Sequence, residues 1–185
     1  MKTKLFYLGL CAMMAFASCS KDDDKPAEEP KPTEPKVVLS ENFDTATDGT
    51  ATDSGGTPWT GSDNFPKESI VKTYHAAKMV KAGTKDGAGY IETKVLDLSA
   101  HNGAVTIKFK VKGWYKDAKM VVTMGEETQT IDIAADKAAT ELIAKEVKFT
   151  KGTKTSKIKF ETGKVMFNGA EQVSRFFIDD LEVIN

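Results

Sequence analysis

Val105-Thr106-Ile107-Lys108-Phe109-Lys110-Val111-Lys112 alternates without a break between apolar and polar residues. Side chains follow a period of two only in an extended strand with one face buried and the other wet. The lysines keep the wet face soluble and discourage pairing with other chains. The same period recurs downstream. Met120, Val122 and Met124 alternate with Val121 and Thr123, and the run stops at Gly125. Gln129, Ile131 and Ile133 resume it after a Gly-Glu-Glu turn, so Lys119 to Ile133 reads as a hairpin. Val147 and Phe149 flank Lys148, and Ile158 and Phe160 flank Lys159. Further strands are expected at Lys78 to Lys81, Gly89 to Leu98 and Arg175 to Ile184.

Turn signals separate these runs: Lys85-Asp86-Gly87, His101-Asn102-Gly103, Lys151-Gly152 and Asn168-Gly169. Ala134 to Ala144 is rich in Ala and Lys but has no apolar stripe beyond Leu142 and Ile143, so it reads as a loop leading into a strand. Short strands spaced by turn residues predict an all-β antiparallel sandwich or barrel. No amphipathic helices intervene, which excludes a parallel α/β sheet.

Toward the N-terminus the pattern ends at Val37-Val38-Leu39, so the domain is expected to occupy residues 37–185. Residues 20–36, SKDDDKPAEEPKPTEPK, hold four prolines and no large apolar side chain. Such a segment cannot bury enough surface to offset chain entropy, and its prolines make it a semi-rigid spacer. Residues 1–18 are of another kind. Lys2 and Lys4 precede an apolar run from Leu5 to Phe16, shorter than the roughly 20 residues a bilayer requires. That is the layout of a secretory leader, which is removed.

Phe16-Ala17-Ser18-Cys19 resembles the lipobox of bacterial lipoproteins, in which the cysteine is acylated and becomes the first mature residue. Ala15-Phe16-Ala17 also offers a generic cleavage site, so plain secretion stands as the alternative. Cys19-Ser20-Lys21-Asp22-Asp23-Asp24 resembles the surface-export signal of Bacteroidota lipoproteins. The resemblance implies an outer-membrane protein, anchored by lipid at Cys19 and exposed at the cell surface. Several acyl chains anchor durably, because each buried methylene contributes about 0.8 kcal/mol.

Cys11 lies in the leader and Cys19 at the lipid site, so the domain has no cysteine for a disulfide or a thiol nucleophile. The chain carries 26 basic and 27 acidic residues; loss of Lys2 and Lys4 leaves 24 against 27, a net charge near −3. That balance offers no electrostatic footprint for nucleic acid.

Four motifs follow in order along the domain: Leu39-Ser40-Glu41-Asn42-Phe43-Asp44, Tyr90-Ile91-Glu92-Thr93-Lys94-Val95-Leu96-Asp97-Leu98-Ser99, Val111-Lys112-Gly113-Trp114 and Phe177-Ile178-Asp179-Asp180-Leu181-Glu182-Val183. Their order resembles that of jelly-roll, galactose-binding-like domains, found in surface lipoproteins and as carbohydrate-binding modules of glycan-degrading enzymes. The resemblance implies that the first and last strands are neighbours. It also implies a structural calcium shared between them, with Glu41, Asp44, Asp179 and Asp180 at the matching positions. Calcium takes six to eight oxygen ligands, so carbonyls and water would complete the shell. Period two places Asp179 on the inward face with Phe177, Leu181 and Val183, where a carboxylate needs pairing, hydrogen bonds or a metal. The alternative is that Asp179 accepts backbone N–H groups at a bulge and Asp180 is simply exposed. Asp44 to Asp53 lacks the acidic spacing and final Glu of an EF-hand and reads as a long polar loop.

A flat ring stacks on the apolar face of a pyranose, so aromatic residues in loops are the candidates for sugar contact. Trp59, in the Gly/Pro-rich loop SGGTPWTGSDNF, is the first. Its alternative role is to fold back and plug the end of the sandwich. Tyr74 beside His75, and Tyr115, follow; Trp114 is assigned to packing. Catalysis has little support. His75 and His101 are far apart, and there is no G-x-S-x-G, H-E-x-x-H or P-loop motif. The reading is a surface-anchored, non-catalytic module that binds glycan. The alternative is a structural or adhesion lipoprotein that meets other proteins, neighbouring surface lipoproteins among them, with no sugar ligand.

Overall fold

The computed structural model describes residues 34–114, 117–134 and 141–185. Residues 1–33, expected to hold a leader, Cys19 and most of a spacer, together with Tyr115, Lys116 and residues 135–140 of the Ala/Lys-rich stretch, lie outside the described residues.

Alternation becomes strand after strand: β1 (Val37–Glu41), β2 (Ile70–Val71), β3 (Thr73–His75), β4 (Val80–Ala82), β5 (Tyr90–Glu92), β6 (Val105–Gly113), β7 (Ala118–Met124), β8 (Glu127–Ile133), β9 (Ile143–Phe149), β10 (Ile158–Thr162), β11 (Lys164–Phe167), β12 (Ala170–Val173) and β13 (Phe176–Ile184). One sheet runs β3-β4-β13-β6-β9, with β1 also on β13; the other runs β2-β5-β10-β7-β8. Every pairing is antiparallel. The fold is the antiparallel β-sandwich that the period of two predicts. The first and last strands are neighbours, with Leu39 opposite Val183.

The layers meet through the apolar halves of their strands. Val105, Ile107, Phe109 and Val111 of β6 are buried, as are Met120, Val122 and Met124 of β7 and Ile158 and Phe160 of β10. Phe109 and Phe160 touch edge to face across the core, their ring centroids 5.7 Å apart. Burying a side chain of this kind contributes about 1.5–3 kcal/mol. The β7–β8 hairpin closes on Gly125, whose φ of +59° suits the glycine-first two-residue turn.

β2 and β3 carry no alternation long enough to be read, Lys78 to Lys81 is strand only from Val80 because Lys78 is left-handed (φ +66°), and three further elements depart from the sequence reading. Gly89 to Leu98 shortens to β5, because Thr93 turns into the core and its Oγ1 accepts the Ile158 N–H (3.0 Å). Asn168-Gly169 closes the β11–β12 ribbon, both residues left-handed (φ +49° and +76°). An Asn-Gly pair favours that turn, but the flanking strands lie half in solvent and show no apolar alternation.

The third departure is in β13. Asp179 pairs with Lys110 but Glu182 pairs with Lys108, so three steps on β13 match two on β6. That extra residue is a β-bulge, with Asp180 at φ +45°. The bulge reverses the phase. Phe176 and Ile178 before it, and Leu181 and Val183 after it, face the main core; Phe177 packs on the opposite face with Ala76 and Met79. Asp179 shares the outer face with Phe177, which corrects the inward placement expected from uninterrupted alternation.

Candidate functional site

The loop carrying Trp59 is an added edge strand. Trp59 N–H donates to the Thr73 carbonyl (3.0 Å), His75 N–H donates to the Thr57 carbonyl (2.9 Å), and Pro58 lies opposite Tyr74. Proline lacks a ladder donor and is tolerated at such an edge. Pairing fixes direction: Trp59 turns inward with Thr73, and Pro58 turns outward with Tyr74. Trp59 is therefore only 4 % exposed, edge-on to Phe43 (5.5 Å) and beside Phe65 (6.1 Å). It plugs the end of the sandwich. Its Nε1 is buried and meets no hydrogen-bond partner among the described residues.

The next residues are held by the first strand. The Glu41 carboxylate accepts Ser62 Oγ–H (2.5 Å), Asn64 Nδ2–H (3.3 Å) and the Phe43 N–H (3.3 Å). Asn64 also donates to the Ser40 carbonyl (3.0 Å). Ser62 and Phe65 exchange backbone hydrogen bonds of 3.0 and 3.1 Å, a turn that needs Gly61 at φ +96°. A Cβ at Gly61 would stand 2.4 Å from the Phe65 carbonyl oxygen.

These constraints open a cleft of about 470 Å³ between the added strand, β2 and β3. Trp59 and Tyr74 both line it, with Ile70, Thr60, Lys67 and Lys72. The volume suits a small organic ligand or a few sugar rings. Trp59 lines the cleft as a buried residue of its wall, and the half-buried Tyr74 is the accessible aromatic. Trp59 and Tyr74 thus border the same cleft, although their sequence spacing carries no trace of that.

A cation–aromatic stack lies behind Tyr74 on the outer face of the sheet. Lys81 Nζ sits 5.0 Å from the Tyr74 ring centroid and 4.5 Å from that of Trp114, and the Arg175 guanidinium carbon is 5.4 Å from Trp114. Trp114 stacks on Phe177 (5.7 Å), the packing role expected of it. Lys81 is 7 % exposed and donates to Ser54 Oγ (3.4 Å). Burial, followed by repulsion from Arg175, pushes its ammonium below the usual lysine range, and Asp53 partly offsets this. Lys112, expected on the wet face with Lys108 and Lys110, is buried instead. Its Nζ lies 4.8 Å from the Phe177 ring and donates to the Ala51 carbonyl, because the polar loop folds over this end of the sheet.

The carboxylates expected to bind calcium are otherwise engaged. Glu41 holds the 62–64 turn, as above. Asp44 accepts Asn42 Nδ2–H (2.7 Å) and lies 3.4 Å from Lys78 Nζ. Asp180 pairs with Lys110 at 2.7 Å, and Asp179 Oδ1 accepts the Asp180 N–H (2.9 Å) at the bulge. Burial, against that hydrogen bond, pushes the Asp179 carboxyl up to about 6. Among the described residues no three His, Cys, Asp or Glu side chains converge as a metal-binding group. Glu41, Asp44, Asp179 and Asp180, the positions at which the resemblance implies calcium, make in this structure the hydrogen bonds and ion pairs just described.

The sequence matches no protein-family profile and no curated protein. Solved structures resembling the domain include the BiXyn10A CBM1 module in its apo form, at 13% identity and a TM-score of 0.45 over 81% of this chain and 99% of that one. The CBM22-1-GH10 modules of Clostridium thermocellum endo-1,4-β-D-xylanase 10B with xylohexaose align at 14% identity and a TM-score of 0.46, over 80% of this chain and 28% of that one. TmCBM61 with β-1,4-galactotriose aligns at 16% identity and a TM-score of 0.37, over 63% of this chain and 82% of that one. Likenesses this distant carry no residue from those proteins onto this chain.

Proposed function

We propose that this domain is a non-catalytic glycan-binding module and that the Trp59–Tyr74 cleft is its binding site. One observation carries the reading: the half-buried ring of Tyr74 stands in an open cleft whose lining also holds Trp59 and residues that bear hydroxyl and ammonium groups. Sugars need that mixture of an apolar surface for ring C–H groups and convergent polar groups for hydroxyls. The cleft is also built on hydrogen-bonded backbone, with the Glu41 and Gly61 contacts fixing the loop in advance, which lowers the entropy lost on binding.

Affinity electrophoresis through a panel of polysaccharide gels tests this. The wild-type domain is expected to be retarded by at least one polysaccharide, and Tyr74→Ala to run unretarded while melting as a folded protein. Absence of retardation on every gel, with a partner protein co-purifying, would favour the structural or adhesion reading.

The leader motif supports a second part of the proposal, that Cys19 is acylated and holds the domain at the outer surface of the outer membrane. Mass spectrometry of the mature N-terminus is expected to find a lipid-modified Cys19. An unmodified terminus would remove the anchor and leave the domain reading standing.

A further inference from the structure

We infer that the ligand of this cleft is an acidic glycan, one whose sugars carry carboxylate or sulfate groups; the inference rests on the glycan-binding reading. The charge of the cleft carries it. Lys67 and Lys72 line the cleft, and no carboxylate side chain does. The domain belongs to a chain with a formal net charge of −1, so this local excess of positive charge is not a property of the surface at large.

The two lysines are also uncompensated. Several exposed lysines of the domain, Lys108 and Lys151 among them, likewise have no ion pair among the described residues, so it is the position of Lys67 and Lys72 at the cleft that sets them apart. Among the described residues neither Lys67 nor Lys72 forms such a pair; Lys72 Nζ reaches only the Asp86 carbonyl oxygen, at 3.5 Å. Glu68 neighbours Lys67 in sequence but does not line the cleft.

A third cation stands behind the wall. Lys81 lies 5.0 Å from the ring centroid of Tyr74, and among the described residues it too pairs with no carboxylate. Its charge is largely buried, and water screens a buried charge less than an exposed one. Asp53 offsets part of it from outside the cleft. The lining therefore places two exposed lysines at the cleft, Lys72 with its Nζ resting against the Asp86–Gly87 turn, and a third cation beneath the ring on which a sugar would rest. A neutral sugar leaves these charges unanswered. An anionic one forms charge-assisted hydrogen bonds with the exposed pair, and such bonds are roughly twice as strong as neutral ones.

The test uses polysaccharides matched in backbone and different in charge: a polyuronate with its carboxyl-reduced form, and a sulfated galactan with its desulfated form. Affinities of the full domain are measured by calorimetry at low salt and again at 0.5 M salt. At least one acidic polymer is expected to bind about tenfold tighter than its neutral counterpart. The polymer showing this preference identifies carboxylate or sulfate as the group recognised. Lys67→Gln/Lys72→Gln is expected to remove most of that preference, as is high salt, which shortens the screening length toward 3 Å. Lys108→Gln/Lys151→Gln, two exposed lysines outside the cleft, is expected to keep it.

Equal affinity for acidic and neutral partners overturns the inference and leaves the glycan-binding reading intact. Equal losses in the two double variants also overturn it, since the preference would then be bulk charge. Failure of the wild type to bind any polysaccharide removes the glycan-binding reading itself, and the inference with it.

Discussion

Asp179→Asn is expected to stabilise the domain near neutral pH, although it deletes a carboxylate beside two lysine-bearing strands. Asp179 sits at the bulge of β13, and burial is the largest influence on it, raising its carboxyl from an ordinary 3.8 to about 6. The charge of Asp180 and that of Asp44 act in the same direction, while the Asp180 N–H and Lys110 oppose them. Between about pH 4 and pH 6 the folded state keeps a proton that the unfolded chain has released. Stability therefore falls as pH rises through that window, and above it the whole cost is present. Taken in full, the displacement from 3.8 to about 6 is worth about 3 kcal/mol. Asp179 is only half-buried, and solvent screening reduces the expectation to about 1 kcal/mol.

Asparagine keeps the oxygen that accepts the Asp180 N–H, so the bulge is retained. In a domain of this size about 1 kcal/mol raises the melting temperature by roughly 2–4 °C. Thermal melts of both proteins from pH 4.5 to 8 supply the assay. The curves are expected to converge at the acid end and separate above pH 6, with EDTA changing neither. A variant less stable than wild type at pH 7.5, or a difference that does not depend on pH, refutes the reasoning. If a bound cation were holding Asp179 ionised, Asn would destabilise the domain and EDTA would lower the wild-type melting temperature.

Two substitutions probe the loop that forms the cleft. Gly61→Ala drives a Cβ against the Phe65 carbonyl oxygen at 2.4 Å and demands a positive φ of a residue that resists it. It is expected to cost at least 1 kcal/mol in denaturant unfolding and to weaken polysaccharide retention. Trp59→Ala leaves a hole beside Phe43 and Phe65 and is expected to cost about 3–5 kcal/mol, read from the shift of the urea midpoint. A loss below 1 kcal/mol would show that the indole does not plug the sandwich.

How far the candidate site could be read beforehand differs from residue to residue. Trp59 and Tyr74 were visible as rings in plausible positions, because side-chain chemistry is local information. Lys67, Lys72 and Lys81 carried no signal; a lysine in a polar stretch looks the same whether a carboxylate answers it or not. Glu41 was legible as a candidate only through the resemblance, and its role as the anchor of the 62–64 turn depends on a contact more than twenty positions away. Tyr115 and Cys19 lie outside the described residues.

Alternation in Val105 to Val111 and its counterparts was enough to determine the all-β class, since a period of two has one geometric solution and every one of those apolar residues is buried. Which strand lies beside which, where the alternation slips, and which way Trp59 faces were decided only by the assembled sheets. A single extra residue at Asp179–Asp180 moves Phe177 to the opposite face, and one added edge pairing turns a loop tryptophan into a plug. Both effects come from hydrogen bonds between segments far apart in the chain, and no local pattern encodes a distant partner.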